Sequence, residues 1–365
     1  MGRARRSLRT AAEFDRPREI SAARTRSPRI SRRAFLKTAG ATALGLAALG
    51  VAPGLLRPGE AAWPSYFFAN NLWDTAWTLA TSPQSVVNTY LAARKAQGFD
   101  TVMMGYGGFG CRNKPLGNGQ APFLGTFSFF NWDTGAYDPV VNLSRPNPAA
   151  WHYIDQIITK AASLGLWTAF VPLGNGVADR YVAALRSAST AFNYGVFIGN
   201  RYKNVARFVW VLGGDVDPTV DGVFDLTNSL ASGIRAAGAR QPITFEPSAD
   251  QSSSEVFQNQ PWLTFNGIQS EWASGIVSGD RSLSPVKATG VLEQGYEGYW
   301  SADEIYNGTF SAFQAGASYV AYGQDGMYNG SNPGLTPGIG ASVAARNDAA
   351  AQSSRAPAQA PPATT

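Results

Sequence analysis

Eight short apolar runs, spaced along the chain with helix-patterned stretches between them, set the strongest limit on what it can fold into. They occupy 66–69, 101–105, 167–172, 208–212, 243–245, 263–268, 290–293 and 318–322. Each has the length of a strand buried on both faces. The intervening segments 83–97, 149–164, 192–202, 226–237 and 302–315 instead repeat apolar residues at three- and four-residue intervals. Strands that alternate with helices pair in parallel, so eight such units predict an α/β chain folded as a (β/α)8 TIM barrel in a single domain. The punctuation agrees. Ser82, Asn147 and Ser301 precede predicted helices as N-caps, and Gly98, Gly165, Gly238 and Gly316 follow them where a left-handed closing residue is needed.

The first 61 residues lie outside this alternation. Ser31-Arg32-Arg33-Ala34-Phe35-Leu36-Lys37, followed by an Ala/Gly-rich apolar run to Val51, has the form of a twin-arginine export signal. The run is too short and too rich in small residues to hold a membrane as a stable span. Residues 1–61 are therefore expected to be a leader with an N-terminal extension, 62–340 the barrel, and 341–365 a low-complexity, disordered tail. The implied partner during export is the twin-arginine translocase, and the implied destination is outside the cell or in its envelope.

Removing the leader reverses the charge. It holds 13 of the 30 Lys and Arg residues but 4 of the 25 Asp and Glu, leaving 17 basic against 21 acidic residues. The high isoelectric point belongs to the leader, and no basic stripe remains to grip nucleic acid. Cys111 is the only cysteine and His152 the only histidine. An internal disulfide, a zinc cage and the Ser-His-Asp and Cys-His nucleophile sets are excluded together. Acid–base chemistry must come from Asp, Glu, Tyr or Lys. No metal and no cofactor is expected: Asp217 and Asp221 fit no EF-hand spacing, and the glycines of 105–110 lack the spacing and the Lys-Ser/Thr that phosphates require.

In a barrel of this type the loops after the strands' carboxyl ends form the working face. Two of them deliver an acid directly from an apolar strand: Asp215 after the fourth run, in Val209-Trp210-Val211-Leu212-Gly213-Gly214-Asp215, and Glu293 at the end of the seventh. Carboxyl groups that face each other across a barrel mouth can hold different protonation states, the requirement for splitting a glycosidic bond. The plainer alternatives are a helix cap for Asp215 and an arginine partner for Glu293. Glu297, four residues after Glu293, is the rival nucleophile. Trp73, Trp77, Trp132, Trp272 and Trp300 all fall in segments expected at the mouth, where an indole face can stack on a sugar ring. The long 106–147 loop is expected to wall the cleft.

The ordered motifs Asn70-Asn71-Leu72-Trp73-Asp74-Thr75-Ala76-Trp77, Asn200-Arg201-Tyr202-Lys203-Asn204 with Val209–Asp215, Gly267-Ile268-Gln269-Ser270 and Glu293-Gln294-Gly295-Tyr296-Glu297 resemble those of the apiosidase-like glycoside hydrolases. The resemblance runs from about Pro64 to Asn329. It implies a (β/α)8 catalytic domain with Asp215 as acid/base and Glu293 as nucleophile, and with Asp74 and Gln269 among the substrate contacts. The chain departs from the family pattern at Glu246-Pro247, where relatives commonly show His-Pro, and at Glu271-Trp272, where they show Gly-His. The expected substrate-binding set is thus Trp73, Asp74, Trp77, Glu246, Gln269, Glu271, Trp272, Tyr296 and Glu297. The expected function is hydrolysis of a glycosidic bond, by a retaining two-carboxylate route, in a plant or cell-wall carbohydrate, with a furanoside such as an arabinofuranoside as substrate class. The alternative is a barrel that binds carbohydrate without cleaving it.

Overall fold

The computed structural model describes residues 70–106, 112–131, 135–174, 176–324 and 340–355. Residues 1–61, expected to be a leader, and Cys111, Trp132 and the first predicted strand at 66–69 lie outside the described residues. Twelve strands are present among those described: β1 Asn71–Thr75, β2 Thr101–Gly105, β3 Thr126–Asn131, β4 Ala136–Val141, β5 Trp167–Val171, β6 Phe208–Gly213, β7 Ile243–Glu246, β8 Gln251–Ser252, β9 Asn266–Gln269, β10 Thr289–Glu293, β11 Tyr296–Glu297 and β12 Tyr319–Gln324. Eight of them run parallel in the order β7-β6-β5-β2-β1-β12-β10-β9. The order follows the chain around a ring, interrupted only by short additions. The seam between β7 and β9 has no continuous ladder but is stitched by Thr264 N donating to the Ile243 carbonyl at 2.8 Å and by Thr244 Oγ1 donating to that of Phe265 at 2.9 Å. The barrel predicted from the alternation is therefore the fold.

The helices are α1 Gln84–Ala96, α2 Pro148–Ser163, α3 Ala178–Leu185, α4 Ala188–Tyr202, α5 Val223–Ala236, α6 Ser254–Phe257, α7 Ser274–Arg281, α8 Ala302–Gln314 and α9 Gly340–Arg355. Two of the predicted caps form. Asn147 accepts from Ala149 N, and Ser301 with Glu304 makes a reciprocal capping box at the start of α8. Ser82 does not cap α1; its hydroxyl donates to the Thr78 carbonyl instead.

Three expectations are corrected. The first strand is Asn71–Thr75, in the segment expected to be a mouth loop, which changes what its side chains can reach. The 106–147 loop contains the antiparallel hairpin β3–β4, docked on α3 through the Arg180–Asp138 ion pair, with Arg186 lying 3.8 Å over the Phe127 ring. The segment after 340 is not wholly a disordered tail, because α9 packs on α8 with Ala345 and Ala349 buried. Arg346 of α9 donates to the Gly98 carbonyl and to Asp100, each at 2.9 Å, and Tyr306 donates to Asp348 at 2.7 Å. This helix supplies the last layer around the barrel.

Inward positions fill the barrel in tiers. Trp73 stacks on Tyr319 at 4.4 Å, Phe265 meets both rings edge-on, and Met103, Ala169, Val209 and Leu292 complete the plug. At the carboxyl ends the inward residues become glycines. A Cβ on Gly323 would strike the Tyr296 ring at 2.7 Å, and one on Gly213 would come within 2.5 Å of the Glu246 carbonyl. Small residues there leave the mouth open to larger side chains from the loops.

Candidate active site

The fourth parallel strand, β6, ends in a run of backbone that L-residues avoid: Gly213 at φ 85°, Gly214 at 84° and then Asp215 at 60°. Glycine adopts this region freely, but a residue with a Cβ stays there only when its surroundings hold it, at a cost of about 1–2 kcal/mol. The distortion re-aims the carboxyl group into the mouth. There the hydroxyl of Ser248 and the amide of Gln269 donate to it, yet burial outweighs them and pushes its pKa up to about 6.

Glu293 enters from β10, whose pairing with β9 shifts register between Val291 and Glu293 and leaves Glu293 opposite Gln269. Its carboxyl is also held above the ordinary range, first by burial and then by the charge of Asp215. Two donors oppose that rise: Tyr296 and Trp77 both hydrogen-bond to Glu293, and the Trp77 indole N–H reaches the Tyr296 hydroxyl at 2.9 Å. The other oxygen, Oε2, is shielded from water and has no hydrogen-bond partner among the described residues. Trp77 itself is buried, its ring lying within 3.2–3.8 Å of the positions a Cβ would take on Gly105 and Gly174. The indole therefore bridges the mouth from the β2 and β5 side to the β10 side.

Glu246, at the end of β7 and paired in register with Gly213, lies beneath these two acids and is fully buried. Its pKa is raised far above the carboxylate range, by burial first and then by the charges of Glu293 and Asp215. Asp215 and Glu293 are each only half-buried, so they stand nearer to solvent than Glu246. Three carboxyl groups from three strands thus share one low-dielectric site, and they cannot all ionise cheaply.

Among the described residues the fold brings Asp215, Glu246, Gln269, Glu293, Tyr296 and Trp77 together. Glu271 and Trp272 sit at the exposed rim, Trp272 59 % exposed and edge-on to Trp300 at 6.5 Å. Trp73 and Asp74, expected as substrate contacts, do not reach the site. Trp73 is part of the barrel plug, and Asp74 on the next position faces the helix layer, where Arg94 pairs with it at 3.2 Å and Tyr90 donates to it at 3.1 Å. The charge of Glu297 acts on the phenol of Tyr322, a residue packed with Leu72, Phe99 and Ile305 on the outer face of β12. Its tie lies there, away from Asp215. Ser248 is the one contributor unmarked in the sequence reading; its position two residues past an acid that ends a strand was the available signal.

The Asp74–Arg94 pair is solvent-free on both sides. Removing one partner of such a pair strands the other's charge in the core, a loss of about 3–5 kcal/mol. Asp74→Asn and Arg94→Met are each expected to lose that much in urea unfolding. Replacing both together, as Asp74→Leu with Arg94→Met, should recover most of it.

Mutating Tyr296 to Phe removes a donor that favours the charged form of Glu293. The expected result is a further upward shift of the upper titration step of the site, read by NMR of the carboxyl carbons. An unchanged titration would show that the phenol does not act on Glu293.

A family model described as Apiosidase-like, catalytic domain, matches residues 65–350. A search of curated proteins gives no match. Solved structures similar to the chain include a protein named simply Glycoside hydrolase, at 21 % identity and a TM-score of 0.59, over 76 % of this chain and 66 % of that one. A glycoside hydrolase family 5 protein from Bacteroides vulgatus ATCC 8482 aligns at 20 % identity and a TM-score of 0.57, over 74 % of this chain and 61 % of the other. An endo-1,4-beta-mannanase from Rhizomucor miehei aligns at 14 % identity and a TM-score of 0.53, over 77 % and 95 %. The chain spans less than two thirds of the length of the first two, and at these identities the likeness is one of fold. With the family model covering most of the sequence and the barrel shared with glycoside hydrolases, this chain belongs to the apiosidase-like catalytic-domain family.

Proposed function

We propose that the protein hydrolyses a glycosidic bond, with Asp215 as the acid/base and Glu293 as the nucleophile of a retaining mechanism. The observation that carries this reading is the coupling of two half-buried carboxyls at the ends of β6 and β10, one re-aimed by a left-handed backbone and the other served by two hydrogen-bond donors. Asp215 in its neutral form gives its proton to the leaving oxygen while Glu293 attacks the anomeric carbon; Asp215 then takes a proton from the water that releases the sugar. The working form of the pair is singly ionised with its proton on Asp215, the minority arrangement, because burial and the neighbouring charge hold the remaining proton more firmly on Glu293. It accumulates as pH rises through about 6 and is lost when the remaining proton, held by burial and by its charged neighbour, departs. A bell-shaped pH profile of kcat/KM is expected, with its acid limb near 6.

The substrate reading follows from charge. No Lys or Arg appears among the groups acting on Asp215 or Glu246, and the undescribed segments after residue 61 contain neither residue. Three carboxyl groups at the mouth, with no Lys or Arg acting on Asp215 or Glu246, favour a neutral sugar over a uronic acid or a phosphosugar. A furanoside such as an arabinofuranoside in a plant or cell-wall carbohydrate fits this class. The test is a panel of neutral and acidic glycans with product NMR. Cleavage confined to neutral sugars, with retained configuration, is the expected result; preference for uronides would overturn the substrate reading, and binding without cleavage of any glycan would favour a carbohydrate-binding barrel.

Export belongs to the same proposal. The Arg32-Arg33 motif and the apolar run after it support a twin-arginine leader that carries the protein out of the cytoplasm. Among the described residues no helix is long and apolar enough to cross a membrane. Replacing Arg32-Arg33 by Lys-Lys should retain the protein in the cytoplasm of its host, as followed by fractionation.

A further inference from the structure

Glu246 is not used in the chemistry just described, yet it is the most completely enclosed acid of the site. Its side chain has no solvent exposure, and among the described residues neither carboxyl oxygen has a hydrogen-bond partner. An ionised carboxylate in such a place would be costly beyond recovery unless a cation or a set of donors met it. None does. The titratable groups acting on it or acted on by it, from every element around it, are Asp215 following β6, Glu293 on β10 and the Tyr319 phenol on β12. All three are acids, and two of them carry the proposed reaction. A neutral carboxylic acid has the shape and polarity of an amide, and burial tolerates it far better than the anion.

We propose that Glu246 is a positioning residue that stays a neutral carboxylic acid throughout turnover, so that the site's single negative charge is confined to Asp215 and Glu293. This deepens the glycosidase reading and rests on it for its consequence in turnover, though not for the protonation state itself. Were Glu246 ionised, its field would hold protons on both neighbours, and the singly ionised pair would form only at higher pH. With Glu246 neutral, the pair is free to divide one proton between a donor and a nucleophile. Its backbone is held in register opposite Gly213 on the adjacent strand, beside the strained turn that leads to Asp215.

The test compares wild type with Glu246→Gln, the permanently neutral isostere. Infrared difference spectra of the full-length protein at neutral pH should contain, beside the absorption of the proton held by Asp215 and Glu293, a protonated-carboxyl component that Glu246→Gln removes and that the Asp215→Asn/Glu293→Gln double variant keeps. In pH profiles of kcat/KM on a cleaved glycoside, the acid limb of Glu246→Gln should coincide with that of wild type within about 0.3 unit, whatever the height of the profile. A fall of that limb by a full unit or more would mean that a charge had been removed, and would overturn the proposal, as would protonated-carboxyl absorption that is unchanged in Glu246→Gln. Glu246→Leu guards against a purely space-filling role: a profile lower than that of the Gln variant by tenfold or more supports a polar positioning group, and equal profiles contradict it. If no variant and no wild-type sample cleaves any glycan, the glycosidase reading fails while the infrared result still decides the state of Glu246.

Discussion

Glu293→Gln is expected to lower kcat on a glycoside with a poor leaving group by on the order of 10⁴-fold or more, because an amide cannot form the glycosyl intermediate. Asp215→Asn should cost about 10²–10⁴-fold on the same substrate, the range for removing a general acid. The two losses differ in kind. For Asp215→Asn the deficit in the bond-breaking step should shrink as the leaving group becomes more acidic, since a nitrophenolate departs without a proton. For Glu293→Gln no leaving group compensates. Burst kinetics across a series of aryl glycosides separates these behaviours, and a leaving-group dependence seen in the Glu293 variant instead would exchange the two roles.

The same pair should weaken the fold that holds it. Asp215 has a pKa raised from 3.8 to about 6, so the folded protein binds a proton over a range in which the unfolded chain has released it. The sign follows from that difference: the contribution is fully present below the unfolded value, declines as pH rises from about 4, and is gone above about 6. The penalty for carrying this charge at neutral pH is about 3 kcal/mol for a shift of this size. Asp215→Asn should recover about 2 kcal/mol at pH 7, less than the full amount because the amide rearranges the bonds from Ser248 and Gln269. A rise in Tm of about 5 °C at pH 7, vanishing near pH 4, is the expected result. Asn also tolerates the left-handed backbone at this position, so the gain is not offset by new strain. A variant that gains as much at pH 4 as at pH 7 would show that charge burial is not the cause. Activity and stability would then oppose each other at one residue, the usual condition of a group held in a state that only catalysis rewards.

Much of this arrangement was legible before any coordinates. β10 is an apolar run that ends in an acid and β6 one that an acid follows two residues on, and strands of that kind can only bring their termini to one face of a parallel barrel. The first strand was not legible, because Asn71, Asp74 and Thr75 give it the polarity of a loop. Their partners come from far along the chain: Arg94 and Tyr90 for Asp74, and the Leu292 carbonyl for Thr75. Misplacing that strand by a few residues is what put Trp73 and Asp74 at the mouth in the sequence reading. The last helix was hidden for a related reason. Its segment Ser342–Ser354 is rich in Ala and Ser and has little amphipathic pattern, so its anchorage by Arg346 to Gly98 and Asp100 could not be foreseen from spacing. Glu246 was visible as a departure from the family pattern, but its complete burial was not, since depth depends on the register of β7 against Gly213.

The pairing of Asp215 with Glu293 in one displacement is tested most directly by trapping. An activated 2-deoxy-2-fluoro glycoside of the sugar found in the glycan panel should inactivate the enzyme, and peptide mass mapping should locate one sugar on Glu293. Label on Glu297 or Glu246, or turnover with inverted configuration and no label at all, would contradict it.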